Sequence, residues 1–140
     1  GTYGVLVNQQ GARVVWQNRV KCYEQSMVVA GDYLYGFADN GIMFCWRCSD
    51  GREMWKQRLG GPVSASPMLV GDRIYASNER GVTFVFRASP QSFQLLGENV
   101  IGDSSFASPI YADGKLFLRH AAFKNGVRQE FLVAISEKTQ

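Results

Sequence analysis

One short phrase recurs three times in this chain: SMVVAGDYLYGF from Ser26, SPMLVGDRIYAS from Ser66 and SPIYADGKLFLR from Ser108. A spacing of about forty residues marks a repeat architecture, built from units that cannot bury their apolar surface alone and must stack on their neighbours. Each phrase has a small polar start, a short apolar run, a turn at Gly31-Asp32, Gly71-Asp72 or Asp113-Gly114, and then an apolar strand carrying aromatics. Glycine and aspartate beside such runs are turn formers, so each phrase reads as a β-hairpin.

The rest of each unit supplies two further strands. Asp39-Asn40-Gly41 turns the chain into Ile42–Trp46, and Ser49-Asp50-Gly51 turns it again into the half-exposed edge Glu53-Met54-Trp55-Lys56. The second unit follows the same order: Met68–Val70, Arg73–Ala76, a turn at Glu79-Arg80-Gly81, Val82–Phe86, and an outer strand around Phe93–Leu96. In the third, Pro109 opens the unit, Leu116–Leu118 is the second strand, and Phe131–Ile135 is the third, reached through Lys124-Asn125-Gly126. Gly4–Val7 and Ala12–Trp16, joined by Gln9-Gln10-Gly11, read as the last two strands of a preceding unit.

Tyr33–Phe37 is apolar or aromatic on both faces, which requires burial on both sides. Four-stranded antiparallel units of this period, with doubly buried inner strands, are the blades of a β-propeller. The chain is expected to be all-β, with about thirteen strands and two full blades flanked by two partial ones. The blade boundaries fall at residues 1–24, 25–63, 64–104 and 105–140. A β-sandwich would use similar strands but would not repeat one phrase. No segment combines helical periodicity with caps for more than about two turns.

These blades resemble the PQQ-type β-propeller repeat, the family of the quinoprotein alcohol dehydrogenases and of the outer-membrane assembly lipoprotein. The resemblance runs from about Val5 to Ile135 and is fullest in SMVVAGDYLYGFADNGIMFCWRCSDGREMW, Ser26 to Trp55. In the family's tryptophan-docking pattern, A-x-D-x-x-T-G-x-x-x-W, Gly51 and Trp55 fall on the glycine and the tryptophan, while Cys45, Arg47 and Asp50 replace the other three residues. Trp16 follows Gly11 by one residue too many, and Phe93 has no glycine before it. The resemblance implies that Trp16 and Trp55 pack between blades, with Gly51 as part of the docking surface, and that the tryptophans act in stability.

Nothing in the residues names a reaction. Active quinoproteins hold their cofactor over a disulfide between adjacent cysteines, with calcium near a catalytic aspartate; this chain has no adjacent cysteine pair. Asp39, Asp50, Asp72 and Asp113 sit in turns, where a carboxylate caps backbone N–H groups. His120 has no recognisable nucleophile or carboxylate partner, and Ser104, Ser105 and Ser108 lack the setting of a nucleophile elbow. The aromatic set Tyr33, Tyr35, Phe37, Phe44, Phe84, Phe86 and Phe117 recurs at equivalent positions and reads as core.

Cys22, Cys45 and Cys48 leave at least one thiol unpaired. Cys45 and Cys48 form a CxxC spacing, but on a strand those positions face opposite sides and a second ligand pair for zinc is missing. Neither zinc nor an internal disulfide is expected, and no cofactor. The net charge of +3 is dispersed, which argues against nucleic acid, and no run approaches the roughly 18 apolar residues of a membrane span.

Function is therefore read as a non-catalytic scaffold that presents blade loops to a protein partner, with a periplasmic or extracellular location implied by the resemblance. Two alternatives stand beside it: a fragment of a quinone-dependent dehydrogenase, and a sensor domain fused to a membrane kinase. Six to eight blades of this period need about 240 to 340 residues, so the chain is expected to be the C-terminal part of a longer propeller. Its open ends are expected to be covered by the remaining blades or by self-association.

Overall fold

The computed structural model describes residues 1–136. These form thirteen β-strands: β1 (Thr2–Asn8), β2 (Gly11–Asn18), β3 (Val28–Ala30), β4 (Tyr33–Phe37), β5 (Ile42–Arg47), β6 (Glu53–Arg58), β7 (Met68–Val70), β8 (Arg73–Ser77), β9 (Val82–Arg87), β10 (Leu95–Val100), β11 (Ile110–Ala112), β12 (Lys115–Lys124) and β13 (Val127–Ser136). They pair as four antiparallel meanders: β1-β2, β3-β4-β5-β6, β7-β8-β9-β10 and β11-β12-β13. The described residues contain no helix, and the four-stranded sheets are propeller blades.

Register opens the second strand of three successive meanders at the same point. Tyr33 opposes Arg47, Arg73 opposes Arg87 and Lys115 opposes Ser136. The inner strands β3, β7 and β11 have three residues each, and β3 lies against β7. The serines that open the repeated phrase join the blades at their inner strands: the Ser26 N–H donates to Ser66 Oγ at 2.8 Å, and the Ser66 N–H donates to Ser108 Oγ at 2.9 Å. A small hydroxyl residue recurs there because each blade must present an acceptor to the blade before it.

The main core lies between the β3–β6 and β7–β10 blades. Tyr35, Phe37, Met43 and Cys45 from the first meet Ile74, Ala76, Phe84 and Phe86 from the second, all buried. Phe37 and Phe84 meet edge to face at 6.4 Å. Full burial of a side chain such as Phe86 contributes roughly 1.5–3 kcal/mol, so this seam holds the two blades together. A second cluster on the other face of the β3–β6 blade stacks Phe44 on Trp46, ring centroids 4.9 Å apart, beside Cys22 and Met27. At both ends of the array apolar side chains are exposed, among them Val5, Val7 and Val14 at one and Leu132 at the other.

Two strand expectations need correction. The outer strand of the β7–β10 blade is Leu95–Val100, not Phe93–Leu96; Phe93 precedes it and packs inward against Phe86. In the third meander the expected Leu116–Leu118 and Phe131–Ile135 are strands of ten residues, β12 and β13. In the complete blades the second strand ends in Asp39-Asn40-Gly41 or Glu79-Arg80-Gly81, whereas here Ala121-Ala122-Phe123 continues as strand until Asn125, with φ 52°, and Gly126 turn it.

The Tyr35 hydroxyl is buried in the main seam without a well-formed hydrogen bond. Burial pushes its pKa up, and the neighbouring Cys45 thiol adds to the shift. An unsatisfied buried polar atom costs roughly 1–3 kcal/mol, so Tyr35→Phe should stabilise the chain by about 1 kcal/mol in a urea melt. A destabilised variant would mean that the hydroxyl is satisfied.

Candidate functional site

The sheet edges carry a second repeat that the sequence conceals. Each outer strand has a β-bulge at one point of its register: Gly4 pairs with Trp16 and Val5 with Val14, Cys45 with Trp55 and Trp46 with Glu53, Val85 with Gly97 and Phe86 with Leu95. The bulged residues are Val15, Met54 and Leu96. Such a bulge bends the strand and re-aims the next side chain. Trp16, Trp55 and Gly97 therefore occupy one structural position in three successive blades.

Two of these positions send an indole across the seam. Trp16 donates its indole N–H to the Cys48 carbonyl at 2.7 Å, and Trp55 donates to the Ser89 carbonyl at 2.8 Å, each acceptor lying just past the third strand of the following blade. Gly51 is the floor under Trp16, not under Trp55: a Cβ there would sit 2.6 Å from the Trp16 ring, and its φ of +69° is one that side chains rarely adopt. Trp55 lies instead among aromatic rings, tilted against Tyr35 at 5.9 Å and edge-on to Phe86 at 6.3 Å and Phe93 at 5.6 Å. The glycine and the tryptophan of one repeat thus serve different seams.

The third position opens a cleft. Between the β7–β10 blade and the β11–β13 meander lies a cavity of about 910 Å³, bordered by Tyr75, Leu96 and Gly97 on one side and by Tyr111, Leu116 and Ile135 on the other. Asp72, Arg73 and Arg87 line it as well, with Asp72 and Arg87 ion-paired.

The other residues singled out from sequence lie away from these seam positions. Asp39 Oδ1 accepts from the Tyr23 N–H and from Gln25 Nε2, and Asp50 accepts from the Arg47 guanidinium and the Arg52 N–H, which hold its pKa down at about 2. Asp113 turns the chain at φ 49°. His120 lies within β12; its ring stacks on Phe131 at 5.4 Å and its Nδ1 is buried without a partner. Ser105 Oγ donates to the Arg119 carbonyl at 3.0 Å.

All three cysteines are free thiols. Cys45 lies inside β5, whereas Cys48 lies past its end. Burial pushes Cys22 and Cys45 up to about 11, and it raises Cys48 as well. No group of three or more His, Cys, Asp or Glu side chains among the described residues is placed to hold a metal. Since the thiolate is the reactive form, alkylation by iodoacetamide at pH 8 should leave Cys45 unmodified until the fold opens. Rapid modification of Cys45 in the native chain, read by mass spectrometry, would contradict its burial.

The family profile described as outer membrane protein assembly factor BamB matches residues 2–89, more than half of the chain. The chain belongs to that PQQ-type propeller family. Among solved structures it is similar to BamB from Moraxella catarrhalis, at 14% identity and a TM-score of 0.62, over 76% of this chain and 34% of that one. A europium-containing methanol dehydrogenase is similar at 11% identity and a TM-score of 0.69, over 86% and 31%. The quinohemoprotein alcohol dehydrogenase ADHIIG from Pseudomonas putida HK5 is similar at 15% and 0.70, over 87% and 20%. At these identities the likeness is one of fold, and the chain spans about a third or less of each of these structures. No curated protein matches it.

Proposed function

We propose that this PQQ-type propeller array is a non-catalytic scaffold of the bacterial cell envelope, holding no resident cofactor and presenting its blade loops to a protein partner. The observation that carries this reading is a rim of equivalent loop positions. Asp39 donates its N–H to the Lys21 carbonyl, Glu79 to that of Pro62 and Ala121 to that of Ser104, which ties each inter-blade linker to the turn or strand beside it. Two residues further along each linker stand Tyr23, Ser64 and Phe106, one to each of three successive blades.

Tyr23 is 89% exposed and Phe106 55%. Large aromatics on loops fixed by a rigid scaffold are the residues that anchor protein interfaces. By contrast, Trp16, Trp55 and the aromatic core are used in joining blades. The match to the BamB profile supports the envelope location.

The test is chemical cross-linking of the chain in an envelope extract, with Tyr23→Ser/Phe106→Ser as the comparison. Loss of a specific cross-linked protein in the double variant is expected; equal capture by both would count against the rim. Dye reduction on alcohols after addition of the quinone and calcium would overturn the scaffold reading in favour of a dehydrogenase.

A further inference from the structure

We infer that the cleft beside Gly97 is a binding site for a tryptophan side chain carried by a partner polypeptide. This inference is independent of the loop rim and stands on the seams alone. In the two preceding seams the residue after the bulge is a tryptophan that crosses to the next blade and hydrogen-bonds a backbone carbonyl. In the third that residue is Gly97, and there the seam contains a cleft.

Gly97 is not demanded by its backbone. Its φ lies outside the left-handed range, and a Cβ built on it would meet only Asn99 Nδ2, at 3.8 Å. A Cβ is admissible there, in contrast to Gly51, where both φ and contact forbid one. The glycine leaves unfilled the position from which Trp16 and Trp55 fill their own seams, while the walls keep the composition that receives an indole: Tyr75 and Tyr111 as ring surfaces, with Leu96, Leu116 and Ile135 as apolar contacts.

A volume of about 910 Å³ is near the upper end of ligand sites, roughly 300 to 1,000 Å³, so an indole enters with room for flanking residues. Asp72 and Arg87 are ion-paired on the lining, with Arg73 beside them.

The experiment titrates the full 140-residue chain with an acetylated peptide Ser-Gly-Trp-Gly-Ser and with its Ala counterpart, following the methyl resonances of Leu96, Leu116 and Ile135. Saturable shifts with the Trp peptide alone are expected, weakened roughly tenfold or more in Gly97→Trp, whose own indole fills the seam. Gly97→Trp should also melt about 4 °C higher than the parent. Gly97→Leu is the second variant, with a smaller filling group and the same direction of change in binding. Three outcomes overturn the proposal: no saturable shift, equal binding of the Ala peptide, or undiminished binding by both Gly97 variants.

Discussion

Trp55→Ala should lower the stability of the chain by about 3 to 5 kcal/mol, the range for deleting a large aromatic from a packed site. The indole bridges two blades: it lies among Tyr35, Phe86 and Phe93, and its N–H closes on the Ser89 carbonyl. Truncation removes the ring contacts and leaves that carbonyl without its donor. Trp55→Phe separates the two contributions, since it retains an aromatic ring and loses the hydrogen bond, worth roughly 1 kcal/mol. Urea denaturation of the three proteins measures this. An Ala variant that unfolds at the parent midpoint would show that the seam does not depend on Trp55.

Gly41→Ala is expected to cost about 3 kcal/mol, combining roughly 1–2 kcal/mol for a left-handed residue with a methyl group a further 1–3 kcal/mol too large for its surroundings. Gly41 has φ +79°, and a Cβ there would stand 2.5 Å from the Gly61 carbonyl oxygen and 2.6 Å from the Gly60 carbonyl carbon. Those atoms belong to the linker between the two complete blades, whose Leu59 and Gly60 N–H groups both donate to the Gly41 carbonyl. The methyl would therefore push the linker off its own hydrogen bonds. Gly31→Ala is the control, because Gly31 has φ +58° but open space around its Cβ. That variant should lose only the left-handed cost, about 1–2 kcal/mol. Equal losses at the two sites would place the whole effect in backbone conformation and remove the linker contact from the explanation.

Much of the architecture was legible in the residue order because the determinants of a blade are local. The turns at Gly31-Asp32, Asp39-Asn40-Gly41 and Gly71-Asp72 declare themselves by composition, and the aromatic strands between them declare double burial. The third meander was misjudged for the same local reason. Ala121-Ala122-Phe123 carries no turn former, so β12 and β13 run on to Asn125-Gly126, where a reading guided by the other blades ends them early.

The seams were not legible. The sequence by itself determined that the chain would form a propeller array of four-stranded units, since turn chemistry, strand periodicity and a forty-residue period act within each unit. Which residues meet between units depends on register and bulges, and one bulged residue changes the direction of every side chain after it. Only the tertiary structure decided that Gly51 receives Trp16, that Trp55 reaches forward to Ser89, and that Phe93 lies beneath Trp55 instead of standing in its place. The same bulge puts Gly97, unremarkable in the sequence, in line with the two tryptophans and beside a cleft, because position in a stacked array is set by pairing across strands and not by spacing along the chain.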